Sequence, residues 1–298
     1  MFKRKRAWIS GRASLGEALT AIGVPDVADL ELALPSSNGL VFKRDGLFYR
    51  FATNKWQARR MQREMALLAR IGPQLSVKVP DIVESSSRPV FHAYKGIAGV
   101  GLNQVDLAGL EPSRRERTLG SLARFLAELH QCDIGWCEST DRDTRSIYEN
   151  FATEAALDHY DAVDPDGTAH RFAVETAARY EASRPDRPTE VLLHDDLVAS
   201  NILIDPQSGD VVGIIDFTEW LVGDRHRDFW FLRRFGRDDG LRTIARVYEA
   251  EGGQQLDFDF IMAIERAQLC RNLLRKKQPR EVEVDRIVGS MKAWRPLA

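Results

Sequence analysis

The chain has 298 residues, 44% of them apolar and 29% charged, with 42 basic against 44 acidic side chains and a formal net charge of −2. This is the make-up of an ordinary globular protein, longer than one hydrophobic core usually supports, and it predicts two lobes. It excludes the basic footprint of a nucleic-acid binder and the long apolar run of a membrane span, and the odd set Cys132, Cys137 and Cys270 excludes a disulfide framework or a four-ligand zinc site.

The basic start, Met1 to Arg6, resembles the head of a signal peptide. Ser10, Gly11, Arg12, Ser14 and Glu17 interrupt the next stretch before an apolar core is reached, so a cytoplasmic protein is expected. Leu15 to Gly23 then predicts a short helix ended by its glycine. Strands are expected at Leu30–Leu34, Leu40–Lys43 and Leu47–Phe51, the first two joined by Ser36-Ser37-Asn38-Gly39 and the last two by Arg44-Asp45-Gly46.

Within Gln57–Ile71 the apolar residues near 61, 65, 68 and 71 form a helical stripe, and Glu64 neighbours it. Its location suits either an inward-pointing carboxylate or a solvated charge among Arg59, Arg60, Arg63 and Arg70. Val79–Val83 and Pro89–Tyr94 read as two further strands. Lys95-Gly96-Ile97-Ala98-Gly99-Val100-Gly101 breaks regular structure and lacks the Gly-x-Gly-x-x-Gly order and strand-to-helix setting of a dinucleotide loop, so it reads as a hinge between lobes.

From Pro112 the pattern turns helical. Leu119, Leu122, Ala123, Leu126 and Leu129 share one face of an amphipathic helix, with His130 at its end expected to be buried and hydrogen bonded. Further helices are expected over 147–160, 169–182, 227–235, 240–251 and 258–277, with 161–167 and 183–188 as loops.

Between Val191 and Phe217 the residues converge on chemistry. Ile202–Ile204 and Val211–Ile215 are β-branched runs around the turn Asp205–Asp210 and predict a hairpin. Folding it about the turn sets Asn201 opposite roughly residue 214, with Asp216 about two residues beyond, so that one cation reaches both. A hard ion such as Mg²⁺ takes one or two protein oxygens plus phosphates and water, which Asn201 and Asp216 supply. Asp196, on the preceding loop, is left to face an attacking hydroxyl and take its proton late.

The order His194-x-Asp196-x-x-x-x-Asn201, an apolar hairpin, then Ile215-Asp216-Phe217 resembles the catalytic and metal segments of the eukaryotic-like kinase superfamily. The continuation, Thr218-Glu219 and then Gly223-Asp224 with Asp228 four residues later, is similar to the aminoglycoside and macrolide phosphotransferases. Protein kinases carry Asp-Phe-Gly and Ala-Pro-Glu instead; here Thr218 replaces that Gly and Ala-Pro-Glu is absent.

The resemblance implies an α+β, protein-kinase-like fold over roughly residues 30–275, with a small N-terminal antiparallel-sheet lobe (1–94) and a mainly helical C-terminal lobe (95–298). It implies ATP or GTP as phosphoryl donor and Mg²⁺ as cofactor. The phosphates fall to Ser36, Ser37, Asn38 and Arg50, which stands where kinases place lysine and pairs with Glu64. Backbone near Ala93, Tyr94 and Lys95 meets the purine edge, and His194 and Asp228 brace the catalytic loop. A small hairpin loop and an exposed strand arginine are the structural alternatives for Ser36–Asn38 and Arg50.

A polycationic acceptor calls for carboxylates, and Glu219, Asp224 and Glu265 are the candidates. Ile-Asp-Phe-Thr-Glu also resembles the macrolide branch, whose pocket Trp220, Trp230 and Phe231 are able to line, core packing being their other reading. The expected function is phosphoryl transfer to an aminoglycoside hydroxyl by a monomer or weak dimer without nucleic-acid or membrane partners. The alternatives are a macrolide kinase, a metabolite kinase acting on choline, homoserine or a sugar, and an inactive nucleotide-binding module.

Overall fold

The computed structural model describes Gly23 and residues 31–36, 39–87, 90–142, 150–185, 189–275 and 281–296. The expected helix at Leu15–Gly23, apart from its last residue, and Ser37 and Asn38 lie outside these. By packing, the chain divides into two compact units: Met1–Asp106 with Ala199–Glu219, and Leu107–Val198 with Trp220–Ala298. The first unit therefore runs past the expected boundary at 94/95 and takes back a later segment. The cause is pairing, since Val100 and Gly101 ladder with Ile204 and Leu203, and Ile214 N–H donates to the Lys78 carbonyl at 2.9 Å.

In the first unit β1 (Glu31–Ser36), β2 (Gly39–Arg44), β3 (Leu47–Phe51), β4 (Ile82–Ser87) and β5 (Val90–Lys95) form an antiparallel sheet in the order β1-β2-β3-β5-β4. Asp45 and Gly46 both adopt positive φ, 49° and 77°, the two-residue turn whose twist suits a hairpin. Alternation along the strands buries Leu40, Phe42, Tyr49, Phe51, Phe91 and Ala93 on one another. The strand expected at 79–83 begins later, at Ile82, because Pro80 has no N–H for a ladder and Lys78 makes only an isolated bridge to Gly213.

Helix α1 (Lys55–Ile71) starts where Asn54 accepts from Gln57 N–H, and buries Met61, Glu64, Leu67, Leu68 and Ile71 along one face. A second sheet joins β6 (Val100–Gly101), β8 (Ile202–Ile204) and β9 (Val211–Ile214).

The second unit is mainly helical: α2 (Pro112–His130), α3 (Glu154–Val163), α4 (Thr168–Ser183), α5 (Trp230–Ala250), α6 (Phe258–Leu274) and α7 (Glu281–Ala293), with the two-stranded ribbon of β7 (Glu190–Leu193) and β10 (Leu221–Asp224). Helix α3 starts at its Thr153 cap and carries on through Asp161–Val163, a stretch expected as loop. The two helices expected over 227–251 are one. Gly240 does not interrupt α5; it is buried, and a side chain there would meet Leu119 of α2. Among the described residues no helix is long and apolar enough to cross a membrane. Cys132, Cys137 and Cys270 are free thiols, the first and last buried.

Candidate active site

Strand β3 and helix α1 bring Arg50 and Glu64 together inside the first unit. Arg50, 5% exposed, forks between two carboxylates: Nη1 donates to Glu64 Oε2 and Nη2 to Asp216 Oδ1, each at 3.1 Å. Glu64, 2% exposed, accepts the Phe217 N–H through its other oxygen at 2.9 Å. One guanidinium thus faces two acids. Burial pushes the Glu64 carboxyl up to about 7, against the pull of Arg50 and with the Asp216 charge adding to the rise. Burial works against the Arg50 charge, but Glu64 and Asp216 raise its pKa above the ordinary value. His92 lies opposite Arg50 in the β3–β5 register; it is buried and its Nδ1 has no hydrogen-bond partner. Burial, then the Arg50 charge, lowers its pKa to about 3, so the ring is neutral.

The hairpin of β8 and β9 pairs Ile202 with Ile214, with an irregularity after Leu203, and Ile215 N–H donates to the Asn201 carbonyl at 2.9 Å. Asn201 therefore stands opposite residue 215, one further than the turn midpoint predicts, and Asp216 follows directly. Asp205 closes the turn, its N–H donating to the Asp210 carbonyl and its Oδ1 accepting from Gln207 N–H at 2.8 Å. Asp216 has φ of 65°, in the left-handed region that side-chain-bearing residues seldom occupy. Among the described residues no three His, Cys, Asp or Glu side chains are gathered as a metal cage. An amide and a carboxylate on neighbouring strand ends are instead an open, all-oxygen donor set, which fits a hard cation that keeps water and phosphate oxygens as its other ligands.

In the second unit, the loop after β7 is held by Asp228, which is fully buried. Its Oδ2 accepts from His194 N–H at 3.0 Å and its Oδ1 from Asp195 N–H at 2.8 Å; His130 Nε2 lies 3.2 Å from Oδ2. His130, the last residue of α2, reaches the Tyr248 hydroxyl through Nδ1 at 2.9 Å. Burial alone would raise the Asp228 pKa, but the His130 hydrogen bond and charge and the loop N–H groups hold it below the ordinary carboxylate value.

His194 is itself buried, with Nδ1 accepting the Asp196 N–H at 3.2 Å, so its ring is an internal brace. Asp195, at φ 59°, is gripped by Arg227 through Nε at 3.0 Å and Nη2 at 2.7 Å. Asp196, next along, is partly exposed.

The other expected site residues fare unevenly. Ser36 closes β1, and Ser37 and Asn38 lie outside the described residues. Ala93 and Tyr94 sit inside β5 with strands on both sides, and Lys95 is flanked by β3 alone, so of these three Lys95 leaves one side of its backbone without a strand. A cavity of about 680 Å³ beside Lys95, bordered by Leu68, Val77 and Ile97, touches neither Arg50 nor Asp216, and so lies apart from the acidic cluster.

The three acceptor carboxylates all have internal partners. Glu219 is ion-paired with Arg60. Asp224 accepts from His226 N–H at 2.9 Å and lies 2.6 Å from the His226 ring, capping the turn Arg225–Asp228. Glu265 is buried and accepts from Arg233 at 2.5 Å and from the Trp294 ring N–H at 3.1 Å. Trp220 and Trp230 are buried in the core, and Phe231 is half-buried.

Sequence reasoning missed the Arg227 grip on Asp195, the Arg60 bond to the Thr218 carbonyl at 2.9 Å, and the buried His92. Only Arg227 had a local signal, one position before the bracing aspartate.

A family model described as the phosphotransferase enzyme family matches residues 36–263. An aminoglycoside 3'-phosphotransferase of Streptomyces fradiae is 29% identical over 117 residues, which are 39% of this chain and 43% of that protein, so the match spans less than half of the relative's length. Of solved structures, the GDP complex of wild-type aminoglycoside 2'-phosphotransferase-IIIa superposes with a TM-score of 0.75 at 20% identity, over 92% of this chain and 96% of that one. The macrolide 2'-phosphotransferase of Brachybacterium faecium does so with a TM-score of 0.67 at 20% identity, over 94% and 98%. The fold is that of these enzymes, a small antiparallel sheet followed by a mainly helical region, as the motif order led one to expect.

Proposed function

The chain belongs to the phosphotransferase enzyme family, and from that premise we propose that it transfers the γ-phosphoryl of ATP or GTP to a hydroxyl of an antibiotic, with an aminoglycoside as the first acceptor class. The observation that carries the reading is the Arg50 guanidinium shared between Glu64 of α1 and Asp216 after β9. That link places a cationic strand residue paired with a helix glutamate beside a metal-type aspartate; kinase-type phosphoryl transfer needs such a pair and such an aspartate, with arginine here where those enzymes carry lysine.

In this mechanism Asn201 and Asp216 would hold Mg²⁺, which when bound would supply positive charge to offset that of the nucleotide phosphates. Arg50, fixed by Glu64, keeps positive charge beside Asp216. Asp196 orients the acceptor hydroxyl and takes its proton late, from a loop whose backbone is anchored by Asp228 and whose N–H is taken up by His194. The setting is cytoplasmic, where the donor nucleotides are abundant, and the working species is a monomer or weak dimer.

Nucleotide consumption by the purified protein, measured across aminoglycosides, macrolides and small alcohols, tests the proposal. Turnover with an aminoglycoside and its loss by roughly 10²–10⁴-fold in Asp196→Ala are the expected results. Equal turnover in the variant removes Asp196 from its role; Mg-nucleotide binding without any acceptor turnover makes the chain a binding module; a small alcohol as best acceptor makes it a metabolite kinase. A macrolide is the second acceptor class, and one observation favours it: Glu219 and Glu265 are matched to Arg60 and Arg233, which leaves them less available to a polycation.

A further inference from the structure

Where the resembling protein kinases carry glycine two residues after the metal aspartate, this chain has Thr218, and it is 3% exposed. Its Oγ1 donates to Asp216 Oδ1 at 2.5 Å, the oxygen that also receives Arg50 Nη2 at 3.1 Å. At that length the contact is a charge-assisted O–H···O⁻ bond, about twice as strong as a neutral one.

The short turn Phe217–Glu219 that carries Thr218 is fixed independently of this hydroxyl. Glu64 accepts from Phe217 N–H at 2.9 Å, and Arg60, itself stacked 4.2 Å over the Trp56 ring, donates to the Thr218 carbonyl at 2.9 Å. The threonine is β-branched, so its χ1 has few choices. The framework therefore aims the hydroxyl at the carboxylate. Asp216 itself has a left-handed backbone, φ 65°, which side-chain-bearing residues seldom adopt and which the surrounding contacts must hold in place.

We propose that Thr218 is a positioning residue for the metal-binding carboxylate, its hydroxyl and the Arg50 guanidinium holding Asp216 Oδ1 from two directions and so fixing the orientation in which Asp216 meets the Mg-nucleotide. The proposal rests on the function proposed above. It assigns this chain a device that a glycine at the same place lacks, since glycine has no hydroxyl to offer.

The test uses the full chain, Mn²⁺ as the probe and a non-hydrolysable ATP analogue, with affinity read from the electron paramagnetic resonance of free Mn²⁺ and with metal-free melting measured alongside. Thr218→Val keeps the shape and removes the donor; it should weaken Mn²⁺ binding about tenfold, the low end for loss of a hydrogen bond to a metal ligand. Thr218→Ser keeps the donor and should bind within about twofold of wild type, and both variants should melt within about 2 °C of it without metal. Wild-type affinity in Thr218→Val, equal weakening in Thr218→Ser, or a loss of affinity that follows a loss of metal-free stability each overturns the proposal. Asp216→Asn separates the premises: loss of Mn²⁺ binding there with none in Thr218→Val sinks the role of Thr218 alone, whereas unchanged binding in Asp216→Asn sinks the metal assignment itself.

Discussion

Glu64 in the sheet-bearing unit and Asp228 in the helical unit are both buried carboxylates, yet their surroundings push them in opposite directions. Asp228 is met by two loop N–H groups and a histidine and is held ionised. Glu64 shares one guanidinium with a second acid and is pushed up to about 7. The first arrangement is satisfied within its own unit and serves as scaffolding. The second carries one negative charge too many whenever both acids are ionised, which is the electrostatic condition under which a bound cation is welcome.

The contrast is broken most forcefully at Asp228. Asp228→Ala removes the carboxylate that His194 N–H, Asp195 N–H and His130 share, and should cost about 3–5 kcal/mol in urea unfolding, the range for breaking a buried charged network; a loss under 1 kcal/mol would mean that the loop holds itself.

Glu64→Met should cost less, about 1–2 kcal/mol, because Arg50 keeps Asp216 and the main loss is the acceptor of the Phe217 N–H. The variant also has a pH signature. The folded pKa of Glu64, about 7, exceeds its ordinary 4.5, so the fold binds the proton more tightly than the unfolded chain does. The resulting stability is present below 4.5 and lost as pH rises through about 7. Wild type should therefore lose stability relative to Glu64→Met over that window, and parallel profiles would refute the shift.

The smallest effect sharpens the same picture through His92. Its folded pKa, about 3, lies below the ordinary 6.5, so its contribution is present above 6.5 and lost as pH falls toward 3. Between about pH 6.5 and 5.5 wild type should lose about 1 kcal/mol relative to His92→Leu in the same unfolding assay. The Glu64 and His92 slopes have opposite signs between 4.5 and 6.5, so only the two variants together resolve them.

Much of this was legible in the residues. The hairpin Ile202–Ile214, helix α2 and the β2–β3 turn follow from alternation, a 3.6-residue stripe and Asp-Gly chemistry, all of which are local signals. The Arg50–Glu64 pair was legible through motif order. The second contact of Arg50, on Asp216, was not, because a guanidinium with two faces in reach is decided by tertiary packing across 166 positions of sequence. The continuity of α5 escaped notice because a glycine reads as a break unless one knows that it packs against Leu119. The partners of the acceptor carboxylates were hidden for a similar reason: sequence supplies the charge of Glu219, Asp224 and Glu265 but not the Arg60, His226 and Arg233 beside them.

The first unit borrows Ala199–Glu219 from the far side of a long excursion of the chain. During synthesis the ribosome therefore delivers β1 to β6 well before the strands β8 and β9 that complete them, a wait of roughly ten seconds at ordinary elongation rates. Through that interval Val100 and Gly101 have no ladder partner and Arg50 has no Asp216. A truncated message ending before residue 199 yields a chain whose β6 lacks the β8–β9 hairpin of its own sheet, so chaperone capture of such fragments is the biological signature to look for.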